Sequence, residues 1–374
     1  MQTNQPSPDT LRHLAELRAS EGKVVSIYLN LDPAEFADGR ARSSAINSVL
    51  DEADRLAREE APPIRADVEG IRDLFKNFDF HGAHAVAVFV NGAEDLLETF
   101  KLPRTVTNTV VIDEAPYVEP LVEMQATALY GVVLVSRQLG RIFRGSRDRL
   151  DEVAVVKDEV HRRHDQGGWS QARYQRSVEK EAQDHLKNTN DELLRLHERR
   201  PFDALFVAAP ETVYADFCER LHPYLSERLA GRFDIDVENT SADDVQRAAD
   251  DVLGAFERKL EAETLDRLIA AKGSGSGRGA SGLEDTLEAL NEQRVEALML
   301  DDNFDAAGVC CPQCGWLGPQ GISACPADGT ETSAREDITD LVVRRALTQS
   351  ARVVIVRDDD RLEPLGSVAA LLRF

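Results

Sequence analysis

Residues 161–176 read His-Arg-Arg-His-Asp-Gln-Gly-Gly-Trp-Ser-Gln-Ala-Arg-Tyr-Gln-Arg. Gly167 and Gly168 can take backbone conformations closed to other residues, so a turn built on them is slim. Around them Arg162, Arg163, His164, Arg173 and Arg176 supply donors and charge, and Trp169 and Tyr174 supply planar rings. Residues 161–180 hold five Arg or Lys against two Asp or Glu, a local +3 in a chain of net charge −23. Arg173, Arg176 and Lys180 recur at i, i+3 and i+7, which puts them on one helical face. Basic and aromatic residues interleaved at a glycine turn suit a single nucleic-acid strand, the rings stacking on bases. His161 and His164 fit phosphate or backbone contacts better than general-base roles. The same residues also fit a plain Gly-Gly turn with Ser170 capping the helix that follows.

A second cluster has metal-ligand spacing. Four of the five cysteines fall within residues 310–325. In the absence of a secretion signal, such clustering favours metal over disulfides. Cys311-Pro-Gln-Cys314-Gly is similar to a zinc-ribbon knuckle, and Cys325-Pro-Ala-Asp328-Gly is similar to a second knuckle with its last Cys replaced by Asp. Two such turns, ten residues apart, could set four ligands tetrahedrally around a structural zinc ion. Cys311, Cys314 and Cys325 are the thiolate ligands, and the fourth position falls to Asp328 or to Cys310. A metal-free knob held by its own turns is the alternative, with Trp316 capping it. Cys218 stands apart in Phe-Cys-Glu-Arg-Leu and reads as a buried helix residue.

The elements that position these residues follow from pattern. The chain has 374 residues, 42% hydrophobic and 30% charged, enough for two or three domains with cores. No run of 18 apolar residues suggests a membrane span. The polar, Pro-containing start is unlike a signal peptide, which points to the cytoplasm. An acidic chain is not a DNA coater, because the phosphate backbone repels it. Strands are expected at 24–31, 84–90 and 105–112, with a helix at 43–59 ending before Pro62-Pro63. A hairpin of 130–136 and 141–144, turned at Leu139-Gly140, opens a second segment. A long helix should run from 170 to 199, free of Gly and Pro. A strand at 203–209, a helix at 211–229, a strand at 233–237 and a helix at 242–271 follow. Residues 272–282 (KGSGSGRGASG) read as a flexible loop. A helix at 283–291, a strand at 295–300, a helix at 338–349 and a strand at 352–357 close the chain.

Three separated stretches resemble the archaeo-eukaryotic class-1 release factor (Pelota-like) superfamily, including its bacterial and archaeal branches. The opening strand Ser26-Ile27-Tyr28-Leu29 is similar to the family's first strand. The family loop runs basic-basic-His-x-x-Gly-Gly-Gln-Ser-x-x-Arg-aromatic-x-Arg. Arg162, Arg163, His164, Gly167, Gly168, Ser170, Arg173, Tyr174 and Arg176 fall in its register without a gap. The third match is Gly282-Leu283-Glu284-Asp285-Thr286-Leu287-Glu288-Ala289-Leu290 with Val295-Glu296-Ala297-Leu298. It looks like the start of the family's C-terminal domain. The resemblance implies an α/β (α+β) fold in three domains: 1–125, 126–241 with the Gly-Gly loop and long helix, and 242–374 with a zinc-knuckle insertion at 308–330.

It also implies a ribosome A-site-binding factor that meets the peptidyl-tRNA acceptor end and docks a translational GTPase. In this family a Gly-Gly-Gln triplet enters the ribosome's catalytic centre, and the Gln helps place water for ester hydrolysis. Here Trp169 occupies the Gln position, and an indole has one N–H donor and no acceptor. Gln171 lies two residues on and Gln166 just before the glycines, and either could reach the same point; Gly167, Gly168 and Gln171 are the candidate catalytic set. The tRNA- or rRNA-binding set is Arg162, Arg163, His164, Trp169, Arg173, Tyr174 and Arg176. Residues 41–48 (ARSSAINS) do not match the family's Thr-Ala-Ser-Asn-Ile-Lys-Ser codon-reading signature, which argues for rescue, quality control or hibernation over standard termination. Three readings stay open: a ribosome-dependent peptidyl-tRNA hydrolase, a non-hydrolytic hibernation or rescue factor, and an acidic scaffold with a zinc knob.

Overall fold

The fold is described from a computed structural model, for residues 6–374 apart from 33, 34, 37, 38, 61, 81, 82, 123, 125–127, 158–170 and 358, and apart from the side chains of 171–175. The chain opens with helix α1 (Pro8–Glu16), whose cap Ser7 accepts from the Thr10 amide at 3.1 Å. Strand β1 (Val24–Asn30) follows, then helices α2 (Gly39–Ala57) and α3 (Pro62–Lys76), strands β2 (Ala85–Asn91), β3 (Leu96–Leu102) and β4 (Thr109–Asp113), and the short helix α4 (Glu119–Val122). The four strands form an antiparallel sheet in the order β3-β2-β1-β4. Pro62 starts α3, a position where a proline's missing N–H costs nothing. The Pro-Pro pair therefore separates two helices where the sequence suggested only one.

The next stretch holds β5 (Tyr130–Val135), β6 (Leu139–Ser146), β7 (Arg149–Lys157), the long α5 (Gln171–Arg199), β8 (Ala204–Ala208), α6 (Glu211–Cys218), α7 (Pro223–Ser226), β9 (Leu229–Phe233) and α8 (Ala242–Gly273). Its sheet runs β7-β6-β5-β8-β9, with β5–β8 and β8–β9 parallel and the rest antiparallel. One face packs on Leu186, Leu193 and Leu196 of α5, and the other on Val245, Ala249 and Leu253 of α8. Three expectations are corrected here. The hairpin turns at 136–138, and Leu139-Gly140 already belongs to β6. The helix at 211–229 is two short helices, because Pro223 restarts it. The strand near 233–237 lies earlier, at β9.

The remainder comprises β10 (Gly279–Ser281), α9 (Leu283–Asn291), β11 (Val295–Asp301), β12 (Gly308–Cys310), β13 (Leu317–Pro319), β14 (Ser333–Arg335), α10 (Thr339–Thr348), β15 (Arg352–Val356) and β16 (Val368–Leu372). β10-β16-β11-β15 form a sheet with one parallel pair, β11–β15. The end of the Gly/Ser stretch is thus a strand and not a loop: Gly279–Ser281 pair with Ala369–Leu371. β13-β12-β14 form a small separate sheet carrying the cysteines.

By contact density the chain forms two compact units, Met1–Gln125 with Glu261–Phe374, and Ala126–Leu260. Residues 1–125 and 261–374 share a unit because α10 packs on α1 and α4, and one apolar cluster runs from Leu11 and Val118 to Leu290 and Val343; residues 242–260 of the expected last segment fall in the other unit. No described helix is long and apolar enough to cross a membrane.

Candidate metal centre and the Gly-Gly segment

The cysteine cluster is built from two turns with one design. In the first, the Cys311 amide donates to the Trp316 carbonyl at 2.8 Å and the Gly315 amide to the Cys311 carbonyl at 3.0 Å. In the second, the Cys325 amide donates to the Thr330 carbonyl at 2.8 Å and the Gly329 amide to the Cys325 carbonyl at 2.9 Å. Gly315 and Gly329 close the turns with φ of 69° and 75°, the left-handed region that disfavours a Cβ. Backbone amides also point at sulfur: Cys314 N–H donates to Cys311 Sγ and Ala327 N–H to Cys325 Sγ, each at 3.4 Å. Asp328 thus stands where the symmetry of the two turns calls for a fourth ligand.

The donor atoms of Cys311, Cys314, Cys325 and Asp328 all lie within 4.8 Å of one another. Cys314 Sγ is 3.5 Å from Cys325 Sγ, and Cys311 Sγ is 3.5 Å from Asp328 Oδ2. A tetrahedral ion with Zn–S bonds of about 2.3 Å needs donor separations of roughly 3.8 Å, so the cage has the right size. Three sulfurs favour zinc over hard cations. Four protein ligands leave no open position, the arrangement of a structural site.

The Thr330 amide and hydroxyl hold the Asp328 carboxyl below the ordinary carboxylate range, the amide donating to Oδ1 at 2.9 Å. Burial works to raise the Cys311 thiol, but the amides of Cys314 and Gln313 outweigh it and leave it lowered. Asp328 is thus held in its anionic form before an ion arrives, whereas burial pushes the Cys314 thiol up to about 12, so that thiol must lose its proton to bind. Cys310 is not among them. It ends β12, where neighbouring side chains face opposite ways, and it lines a separate cavity. Trp316 sits over Gly318, where a Cβ would come within 2.5 Å of its ring carbon Cζ3. Cys218, read as buried, is half-buried at the end of α6.

The Gly-Gly segment connects β7 to α5. His161, Arg162, Arg163, His164, Gly167, Gly168, Trp169 and Ser170 lie outside the described residues. Gln171, Arg173 and Tyr174 fall in the first turn of α5, their side chains likewise outside. Further along, Arg176 and Lys180 are exposed, one turn apart. The opposite face is buried through Val178, Ala182, Leu186, Leu193 and Leu196, so the basic side of α5 is the side away from the core. The helix is seated by a close contact. A Cβ at Gly140 of β6 would meet Thr189 Cγ2 at 2.6 Å, and Thr189 Oγ1 donates to the His185 carbonyl at 3.1 Å.

Residues 116–253 match the family model described as Bacterial archaeo-eukaryotic release factor family 10. The chain is 23% identical to peptide chain release factor subunit 1 of Thermoplasma acidophilum, over 97% of this chain and 94% of that one. It is 24% identical to an uncharacterized protein of Mycobacterium tuberculosis, over 96% and 95%. Among solved structures, Pelota of Archaeoglobus fulgidus aligns at 17% identity over 100% of this chain and 96% of that chain, with a TM-score of 0.37. The mixed α/β architecture itself rests on the sheets described above. The family match covers β5 to α8, the stretch that carries the Gly-Gly segment, and the full-length relatives extend the likeness to both ends. Over nearly its whole length the chain is similar to the archaeo-eukaryotic class-1 release factors, and residues 116–253 match a bacterial family of that kind.

Proposed function

We propose that this protein is a translation factor that binds the ribosomal A site and presents residues 161–176 to the peptidyl-tRNA acceptor end, acting in ribosome rescue or hibernation without hydrolysing the ester itself. Likeness to the superfamily supports the ribosome as partner, and so do the exposed Arg176 and Lys180 near the start of α5. One observation carries the non-hydrolytic reading. Trp169 takes the amide's place after the two glycines, and Gln171 is already the first residue of α5. An amide borne on a helical turn moves with the helix, whereas the family's Gln rides on the glycine turn itself. Water placement at an ester carbonyl tolerates little displacement.

Hydrolysis through Gly167, Gly168 and Gln171 is the second reading, favoured by the short distance in sequence between Gln171 and the glycines. In both readings Cys311, Cys314, Cys325 and Asp328 hold a structural zinc ion, and a translational GTPase is the partner that the superfamily suggests. The test is co-sedimentation with ribosomes, followed by release of labelled peptide from stalled complexes. The expected result is binding without release above background. Release by the natural chain, lost in Gln171→Ala, would overturn the non-hydrolytic reading and assign the chemistry to Gln171. Failure to co-sediment would sink both.

A further inference from the structure

Within the unit of Met1–Gln125 and Glu261–Phe374 lies a cavity of about 310 Å³. One wall comes from the end of α1 and the stretch after β4, the other from α10 and the cysteine-bearing sheet. Its apolar surface is Ala15, Val111, Leu317 and Leu341. Its charged surface holds four Arg and four Asp or Glu, so charge counting alone does not say what would enter. Hydrogen-bond accounting does.

Each carboxylate already has donors. Asp340 Oδ1 accepts from the amides of Val118 and Glu119 at 2.9 and 3.1 Å. Asp337 Oδ1 accepts from the Thr339 amide at 2.8 Å and from its hydroxyl at 2.6 Å. Asp113 pairs with Arg335 at 3.4 Å, and Glu114 with Arg18 at 2.5 Å. Arg344 donates to the carbonyls of Ala15, Leu17 and Pro116. Arg345 is different. Its Nε is buried with no hydrogen-bond partner, and among the described residues no ion pair engages its guanidinium. It faces both this cavity and an adjoining hollow of about 260 Å³, whose rim residue Glu16 is exposed and makes no ion pair with it. Of the charged side chains in the wall, Arg345 is therefore the one with donors left to give, through its terminal nitrogens, since the shielded Nε is out of a ligand's reach.

We propose that this cavity binds a small organic anion, a carboxylate or phosphate on an apolar planar body, with the anionic group on Arg345 and the body against Leu317 and Leu341. A guanidinium takes either oxyanion through paired N–H donors. The volume is of the size of small-molecule sites, which begin at about 300 Å³. The bound anion would bridge α1 and the β4 connection on one side and α10 on the other, so occupancy raises the melting temperature of this unit. The proposal does not depend on the ribosomal reading.

The experiment is calorimetric titration of the purified full chain with naphthoate, with naphthyl phosphate and with neutral naphthalenemethanol. One saturable site per chain is expected for at least one of the anions, and the tighter of the two tells carboxylate from phosphate. The neutral analogue should bind roughly tenfold more weakly or worse, the loss of a charge-assisted contact. Arg345→Gln should weaken the anion by a similar factor. Ala115→Phe fills the cavity while keeping Arg345, and should remove binding with an unchanged far-ultraviolet spectrum. The proposal fails if neither anion saturates a site on the natural chain, or if Arg345→Gln and Ala115→Phe both bind the preferred anion as the natural chain does.

Discussion

A carboxylate at position 328 gives the cysteine cluster three soft donors and one hard one. Zinc, a borderline-soft ion, accepts oxygen in place of sulfur at some cost in affinity, and its filled d-shell imposes no geometry that the exchange would break. Asp328 is held anionic by Thr330, so it needs no proton loss to bind. We expect the chain purified without chelator to carry zinc. Asp328→Ala should release it at least about tenfold more readily in competition with a chromogenic chelator, and Asp328→Cys should hold it at least as tightly as the natural chain. Equal affinity in Asp328→Ala would remove Asp328 from the ligand set. These residues were legible in the sequence because a knuckle is a local motif: two residues between ligands, then a glycine in the left-handed region. The choice between Asp328 and Cys310 was not legible. It depends on which way β12 turns its side chains, and spacing does not record that. Arg345 was invisible for a related reason, since its lack of a partner is a property of the packed seam and not of any pattern along the chain.

Helix α10 was expected at 338–349 and is found at Thr339–Thr348, with Val342, Val343, Ala346 and Leu347 on its buried side. What it holds was hidden, because its partners are far away in sequence. Asp340 meets Val118 across 222 residues, and Arg344 meets Ala15 across 329. Edge strands were missed for a different reason. β7 alternates poorly, and exposes Val153 and Val155, so nothing in its sequence advertises a strand. The polar clasp of α10 has a pH signature. Burial pushes the Asp340 carboxyl up to about 6, against Arg344 and the amides of Val118 and Glu119, which lower it, while Asp113 adds to the rise. An unfolded Asp titrates near 3.9. Between those values the native chain holds a proton that the unfolded chain has lost, so stability falls as pH rises through the window. The contribution is full below about 4 and gone above about 6. Measured by urea unfolding, the natural chain minus Asp340→Asn should lose roughly 2 kcal/mol between pH 4 and pH 7. A difference that is flat, or that grows with pH, would show that Asp340 is solvated as an ordinary surface carboxylate.

At the scale of the whole molecule, charge is divided unevenly. Residues 126–260 carry 21 Lys or Arg and 25 Asp or Glu, leaving 23 and 42 in the other unit. That other unit carries the larger acidic excess, so on the proposed reading the attraction to RNA falls to the segment around Gly167-Gly168 and the start of α5. The composition showed the excess acid from the outset. The structure adds that the two more acidic stretches, 1–125 and 261–374, pack as one unit. If about three basic residues of 161–180 each displace a counterion from single-stranded RNA, affinity should fall with a log–log salt slope of roughly −2. Raising potassium chloride from 50 to 200 mM would then weaken ribosome co-sedimentation by roughly tenfold to thirtyfold. Replacing Arg162 and Arg163 by Gln should flatten the slope toward about −1, whereas replacing Arg12 and Arg55 of the acidic unit should leave it unchanged. A slope that persists undiminished in Arg162→Gln/Arg163→Gln would place the phosphate contacts elsewhere and detach the Gly-Gly segment from the acceptor end. Because the slope counts contacts and not chemistry, it separates binding from hydrolysis: an inert Trp169 loop and an active Gln171 loop predict the same salt dependence and differ only in peptide release.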